Sequence, residues 1–327
     1  MFAKTAERTE SKMKRVIAAV LCLLLALTVF SGCGIKKPSN ARVKIITTIY
    51  PVYEWVKNIA DDADGVEVSL LLDKGVDLHS FQPTAENIVD ISDCDVFIYV
   101  GGESDKWVDD VLKEKKNKDM LSVNLMDELG EAAKEEENVE GMEPGDEEDG
   151  DEKEYDEHIW LSLKNASKLC KCISDKLSEK DSDNKDKYEK NAKEYIEKLG
   201  LLDRKYAQTC SSAKHDTLIF ADRFPFRYMT DDYKLKYYAA FKGCSAESEA
   251  SLNTLVFLAE KLDSSGLHSL IILDGSEKKI VKGVIDAAKT KDVEILTLNS
   301  MQSSIGDDDT YLSIMEDNLS VLQKALN

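Results

Sequence analysis

Val43-Lys44-Ile45-Ile46-Thr47-Thr48 leads into Pro51 and an apolar stripe of Val52, Trp55, Val56 and Ile59, and then into Val66-Glu67-Val68-Ser69-Leu70-Leu71-Leu72. The first run is short and rich in β-branched residues, as a buried strand is; the three- and four-residue spacing that follows predicts a helix over 52–62; the last run predicts a second strand over 66–72. The same rhythm continues outward. A helix is expected over 85–91, a strand over 96–100 ending at Gly101-Gly102, a helix over 106–112 and a strand over 121–125. Strands that alternate with helices at this spacing make a parallel sheet covered by helices on both faces. Binding groups in such folds lie in loops beyond the carboxyl ends of the strands.

The second half restarts the pattern. Strands are expected over 217–221, 235–241, 269–273 and 293–298, and helices over 251–264, 278–289 and 311–326. Residues 224–231 read as an irregular or helical aromatic segment. Between the halves lie a helix over 165–177 and a longer helical pattern over 184–206. Its Tyr188, Ala192, Tyr195, Leu199, Leu202 and Tyr206 repeat along one face, with Gly200 as the weak point. About 20 helical residues span roughly 30 Å, enough to reach from one domain to another. The expected fold class is therefore α/β: two similar parallel-sheet lobes, 43–183 and 209–327, joined by a long rigid helix at 184–208, with a cleft between them.

The amino terminus reads as a targeting segment. Lys14 and Arg15 precede an apolar run over 16–30, and Ser31-Gly32-Cys33 follow. That is a basic region, a short apolar core and a small-residue cleavage site, not a spanning helix. It resembles a bacterial lipobox, with Phe30 where Leu is typical. Residues 1–32 are then the signal, Cys33 carries lipid, and 33–42 tether the protein to the extracytoplasmic face of the cell membrane. The mature cysteines beyond it are Cys94, Cys170, Cys172, Cys210 and Cys244. Five is odd, so one at least is free within the chain. A Cys210–Cys244 disulfide would suit this compartment. The formal net charge of -20 argues against a nucleic-acid partner, whose phosphates would be repelled.

Two of the four histidines stand out. His79 lies in Asp77-Leu78-His79-Ser80-Phe81-Gln82-Pro83, after the second strand. His158 lies in Tyr155-Asp156-Glu157-His158-Ile159-Trp160, at the end of an acidic, low-complexity insert over 131–157. Imidazoles amid carboxylates suggest a borderline cation. The insert is too polar to fold on its own. It reads either as a weak cation collector or as a solubilising loop. His215 and His268 read as surface groups.

Ile45-Ile46-Thr47-Thr48-Ile49-Tyr50-Pro51, Asp77-x-His79-x-Phe81-x-Pro83, Gly101-Gly102-Glu103 ahead of Trp107, His158-x-Trp160 before Asn165-Ala166, and Asp308-x-x-Tyr311 together resemble the zinc and manganese substrate-binding proteins of bacterial ABC transporters. The resemblance covers nearly all of the mature chain. It implies two lobes with one divalent metal ion in the cleft, handed to a membrane permease by a monomer. It implies His79 and His158 as ligands. The family's third ligand falls on Ala221 in strict register, which cannot bind; the neighbouring Asp222 is the expected donor. The fourth falls near Asn299, leaving that carbonyl or water. Many zinc-binding members carry histidines in the acidic loop; this loop has kept the acid and lost them. Two imidazoles and one carboxylate suit Zn2+, with Mn2+ as the alternative. Arg223 either orients Asp222 or holds a closed interface between the lobes, or it is a surface arginine beside an aromatic cluster with Phe224 and Phe226.

A metallohydrolase built on the two histidines, and an adhesin-like lipoprotein, are the competing classes. No His-Glu-x-x-His, Gly-x-Ser-x-Gly or phosphate-cradling loop occurs in the sequence, which disfavours an enzyme.

Overall fold

The computed structural model describes residues 42–72, 76–143, 154–245, 249–302 and 305–327. The signal segment, Cys33 and the tether up to residue 41 lie outside the described residues. No described helix is long and apolar enough to cross a membrane.

The first sheet is built from β1 (Val43–Thr47), β2 (Val66–Leu70), β3 (Val96–Tyr99) and β4 (Leu121–Asn124). The second uses β5 (Thr217–Phe224), β6 (Lys236–Lys242), β7 (Ser269–Leu273) and β8 (Glu294–Leu298). All pairings are parallel. The strand orders are β2-β1-β3-β4 and β6-β5-β7-β8, the same topology twice.

Strand alternation explains the layering. Ile45 of β1 and Ile271 of β7 face a central helical layer, whereas Ile46 and Ile272 point to the outer sides. Successive side chains leave a strand on opposite faces, so a sheet covered twice must be apolar on both. The central layer is formed by α1 (Tyr50–Ile59), α5 (Leu163–Lys180), α6 (Lys185–Ser212) and α10 (Tyr311–Ala325). One continuous core runs through it, from Val43 to Leu326. The helices α2 (Ala85–Asp93) and α3 (Trp107–Lys113) cover the outer face of the first sheet. The outer face of the second is covered by α8 (Leu252–Ser265) and α9 (Lys279–Ala287). Two short helices complete the set among the described residues, α4 (Leu125–Leu129) after β4 and α7 (Arg227–Tyr233) after β5.

The buried face of α6 is Tyr188, Ala192, Tyr195, Leu199, Leu202 and Tyr206, the stripe expected from spacing. The helix runs through Gly200 without a break and has 28 residues, about 42 Å at 1.5 Å per residue. A glycine there costs about 1 kcal/mol against alanine, which burial of the helix's apolar stripe outweighs. Aromatic side chains tie the central helices together. The Tyr206 hydroxyl donates to Met315 O at 2.6 Å, and Trp55 meets Tyr311 edge-on at 5.5 Å. Tyr311 donates to Trp160 O at 2.6 Å, and Trp160 Nε1 donates to Ser300 O at 2.9 Å.

The described ends of the acidic insert are ordered differently from the expectation of an independent polar loop. Glu135 and Tyr155 form an antiparallel bridge. Asp156 N donates to Lys134 O and Glu136 N to Glu154 O, both at 2.8 Å. The outgoing arm then docks on the second sheet's helices through ion pairs, Glu137–Arg227 at 2.6 Å and Glu140–Lys261 at 3.3 Å, and through buried Met142. The arm needs no core of its own because its neighbour supplies cations and an apolar seat.

Candidate metal centre

His79 sits in a one-turn 3-10 helix, Leu78–Ser80, after β2. Asp77 caps that turn, accepting His79 N at 3.0 Å. His158 precedes another such turn, Ile159–Leu161. The two rings meet. Their Nε2 atoms are 3.2 Å apart, and their centroids 5.1 Å apart. Tetrahedral zinc with Zn–N near 2.0–2.1 Å places two ligand nitrogens about 3.3–3.4 Å apart, so the observed spacing is close to one edge of such a site.

Each ring is held from behind. His158 Nδ1 meets Asp156 Oδ1 at 2.9 Å, and the same oxygen accepts His158 N at 2.8 Å. His79 Nδ1 meets Ser104 Oγ at 2.8 Å and lies 3.5 Å from Glu157 Oε2. Glu157 is itself positioned by Ser104 N, which donates to its Oε1 at 2.8 Å. Partners of this kind fix ring orientation and aim the free nitrogen at a metal. Gly102, with φ of +85°, lets Glu157 lie against the backbone, since a Cβ there would come within 2.4 Å of Glu157 Oε1.

The electrostatics of the two rings diverge. Burial, then His158, push His79 down to about 3. Burial also opposes charge on His158, but Asp156, Glu157 and Glu136 outweigh it and hold His158 above its ordinary value. Two imidazoles in contact behave as one titrating unit, with any proton placed on the Asp156 side.

On the opposite side of the cleft, β5 carries a register shift against β6 between Phe220 and Arg223. Such an irregularity re-aims the side chains beside it. Asp222, the expected third donor, is buried within β5 rather than just past its end. Its Oδ2 accepts Leu273 N at 2.9 Å and its Oδ1 accepts Arg223 N at 2.8 Å. Arg223 points across the cleft to Asp77, Nη2 to Oδ2 at 3.0 Å. Asp77 is thereby held below the usual carboxylate range: burial opposes ionisation, but Arg223 and His79 outweigh it. Arg223 thus reaches a first-lobe carboxylate with its side chain and Asp222 with its backbone N–H. Asn299, the expected fourth donor, has its side-chain oxygen engaged by Met301 N at 2.7 Å. His268 is exposed, its Nδ1 3.2 Å from Asp292 O.

The group brought together with His79 and His158 is completed by Cys244, the ligand atoms of the three all lying within 4.8 Å of one another. Asp222 is not in that group. Cys244 and Cys210 are both free thiols, so the disulfide weighed from the sequence is absent. Cys244 follows the carboxyl end of β6 in the turn Gly243-Cys244-Ser245. That position was a usable signal, because loops after parallel strands carry binding groups. A cavity of ≈ 520 Å³ leads toward His79, lined by Asp77 on one side and by Asp222, Arg223, Glu249 and Glu277 on the other.

Comparison with known proteins gives consistent relatives. The family described as "Zinc-uptake complex component A periplasmic" matches residues 45–325. The zinc-binding lipoprotein AdcA of Streptococcus pneumoniae is 32% identical over 324 residues, covering 95% of this chain; the chain spans 61% of that relative's length. The high-affinity zinc uptake system protein ZnuA of Bacillus subtilis is 31% identical over 314 residues, covering 95% of this chain and 96% of the relative. The crystal structure of the Zn(II)-bound ZnuA-like domain of Streptococcus pneumoniae AdcA matches with a TM-score of 0.68 at 30% identity, over 88% of this chain and 99% of that one.

Proposed function

The chain belongs to the zinc-uptake complex component A family, and from that premise we propose that it captures a zinc ion outside the cytoplasmic membrane and delivers it to an ABC import permease. The observation that carries this reading is the pair of imidazole Nε2 atoms 3.2 Å apart, contributed by loops 79 residues apart in sequence. His79 and His158 are the first-lobe ligands. Strict register puts the second-lobe donor on Ala221, and its neighbour Asp222 was the expected ligand. Residues 43–183 and 209–327 act as the two lobes, with 184–208 between them. Lipid on Cys33 holds a monomeric protein at the extracytoplasmic face; the name of the pneumococcal relative, a lipoprotein, supports that anchoring.

Zinc is favoured over manganese by the donors. Imidazole suits zinc, whereas manganese prefers oxygen ligands. Capture without turnover is favoured over hydrolysis by the family and by the relatives' names. The test is a zinc titration of the full-length protein, purified metal-free, in competition with a chelating indicator. One tightly bound zinc per chain, with manganese much weaker, is expected. No tight metal would end the capture reading; tight manganese with weak zinc would replace its substrate.

A further inference from the structure

This inference rests on the zinc-capture reading. We propose that the second lobe's ligand to the ion is the thiolate of Cys244, and that Asp222 is a clamp on its own sheet rather than a ligand. The thiol is the donor that shares the site: its sulfur lies within 4.8 Å of a ring nitrogen of each histidine. Tetrahedral zinc, with Zn–S near 2.3 Å and Zn–N near 2.0–2.1 Å, sets an S···N edge of about 3.6 Å. A separation of at most 4.8 Å exceeds that edge by at most about 1.2 Å.

The turn that carries Cys244 is built against the first lobe's histidine. A Cβ at Gly243 would stand 3.0 Å from His158 Cε1 and 2.9 Å from Phe224 O, so the absent side chain is what lets the turn approach the ring. Cys244 N is fixed by Glu136 Oε1 at 2.9 Å, which ties the turn to the base of the acidic insert. Asp222 has the opposite arrangement. Each of its oxygens already accepts a backbone N–H, one from Arg223 and one from Leu273. Turning the carboxylate toward the histidines would leave a buried amide unpaired, at a cost of about 1–3 kcal/mol.

One effect opposes the thiolate. Burial, with Glu136, Asp156 and Glu157 nearby, holds the metal-free thiol protonated. A divalent cation reverses that balance, because a coordinating thiol is deprotonated outright. The S–H bond is then replaced by S–Zn and the proton leaves to solvent. The same carboxylates that disfavour a lone thiolate favour the cation that accompanies it. Two imidazoles and one thiolate also make the site softer than two imidazoles and a carboxylate, which deepens its preference for zinc over manganese. A fourth position stays open to water.

The experiment loads metal-free full-length protein with Co(II) and records its absorption spectrum. A thiolate-to-cobalt charge-transfer band in the near ultraviolet is expected, absent from Cys244→Ser and retained in Asp222→Asn. Zinc affinity of Cys244→Ser should fall by on the order of 10²-fold, while its circular dichroism spectrum and melting temperature stay those of the parent. One equivalent of cobalt bound without that band, or a band that survives Cys244→Ser, would overturn the thiolate and leave zinc capture standing. Failure to bind metal at all would remove both.

Discussion

The two sheets share one strand order, yet their carboxyl edges are furnished differently. The first edge presents His79 and His158, each with a partner behind its ring, Ser104 and Asp156. The second edge presents Asp222, whose oxygens hold the ends of β5 and β7, Arg223, which crosses to Asp77, and the Cys244 thiol. On the proposed reading, one edge is pre-organised for a cation and the other adds an ion pair between the lobes and a single soft donor. Topology places loops at an edge, but side-chain chemistry decides what each edge can do.

The sharpest break of this contrast is His158→Ala. Removing one of three donors should weaken zinc by on the order of 10²–10⁴-fold, taking a ligand's share of a structural site's binding energy. Competition titration reads it, and parental affinity would mean the first edge is not the primary site. The next effect is on stability. Asp105 is raised to about 7, by burial first and Glu157 as well, against the opposing Gly101 N–H. Its folded value lies above the ordinary carboxylate value of 3.8, so the stability it contributes is full below 3.8 and is lost as pH rises toward 7. Asp105→Asn should flatten that slope by up to about 4 kcal/mol; urea melts at pH 4 and pH 8 compare the two proteins, and an unchanged difference would refute the assignment.

Asp222→Ala separates the clamp from a ligand. It should lower stability by about 1–3 kcal/mol, because Leu273 N loses its buried acceptor, and leave zinc affinity within a few-fold. A large affinity loss at unchanged stability would return the carboxylate to the ligand set. An effect of similar size belongs to the partner behind His158. Asp156→Asn should weaken zinc about 10–100-fold, as loss of a ligand's orienting carboxylate does; stopped-flow release rates would show whether the loss lies in dissociation.

Much of the site was legible because it depended on local pattern. The α6 stripe, all eight strands and the positions of His79 and His158 after strands or at the end of the insert followed from spacing and residue type. Three features were not. The register shift in β5 turns Asp222 into its own sheet, and nothing in Ala221-Asp222-Arg223 announces it. The docking of the 131–143 arm depends on Arg227 and Lys261, distant in sequence and invisible to a reading of the insert alone. Cys244 was weighed only as a disulfide partner of Cys210, although Gly243-Cys244-Ser245 follows a strand end, because a single cysteine acquires meaning only from what faces it.

The sequence by itself therefore determined the α/β alternation, the repeated strand order's raw elements and the two imidazoles, since hydrophobic period and residue chemistry act over a few neighbours. Which groups face one another across the cleft was decided only by tertiary structure. His79, His158 and Cys244 come from three loops whose separations in sequence carry no distance information. Their meeting is set by how two sheets pack onto one central layer of helices, and that geometry is a property of the whole core.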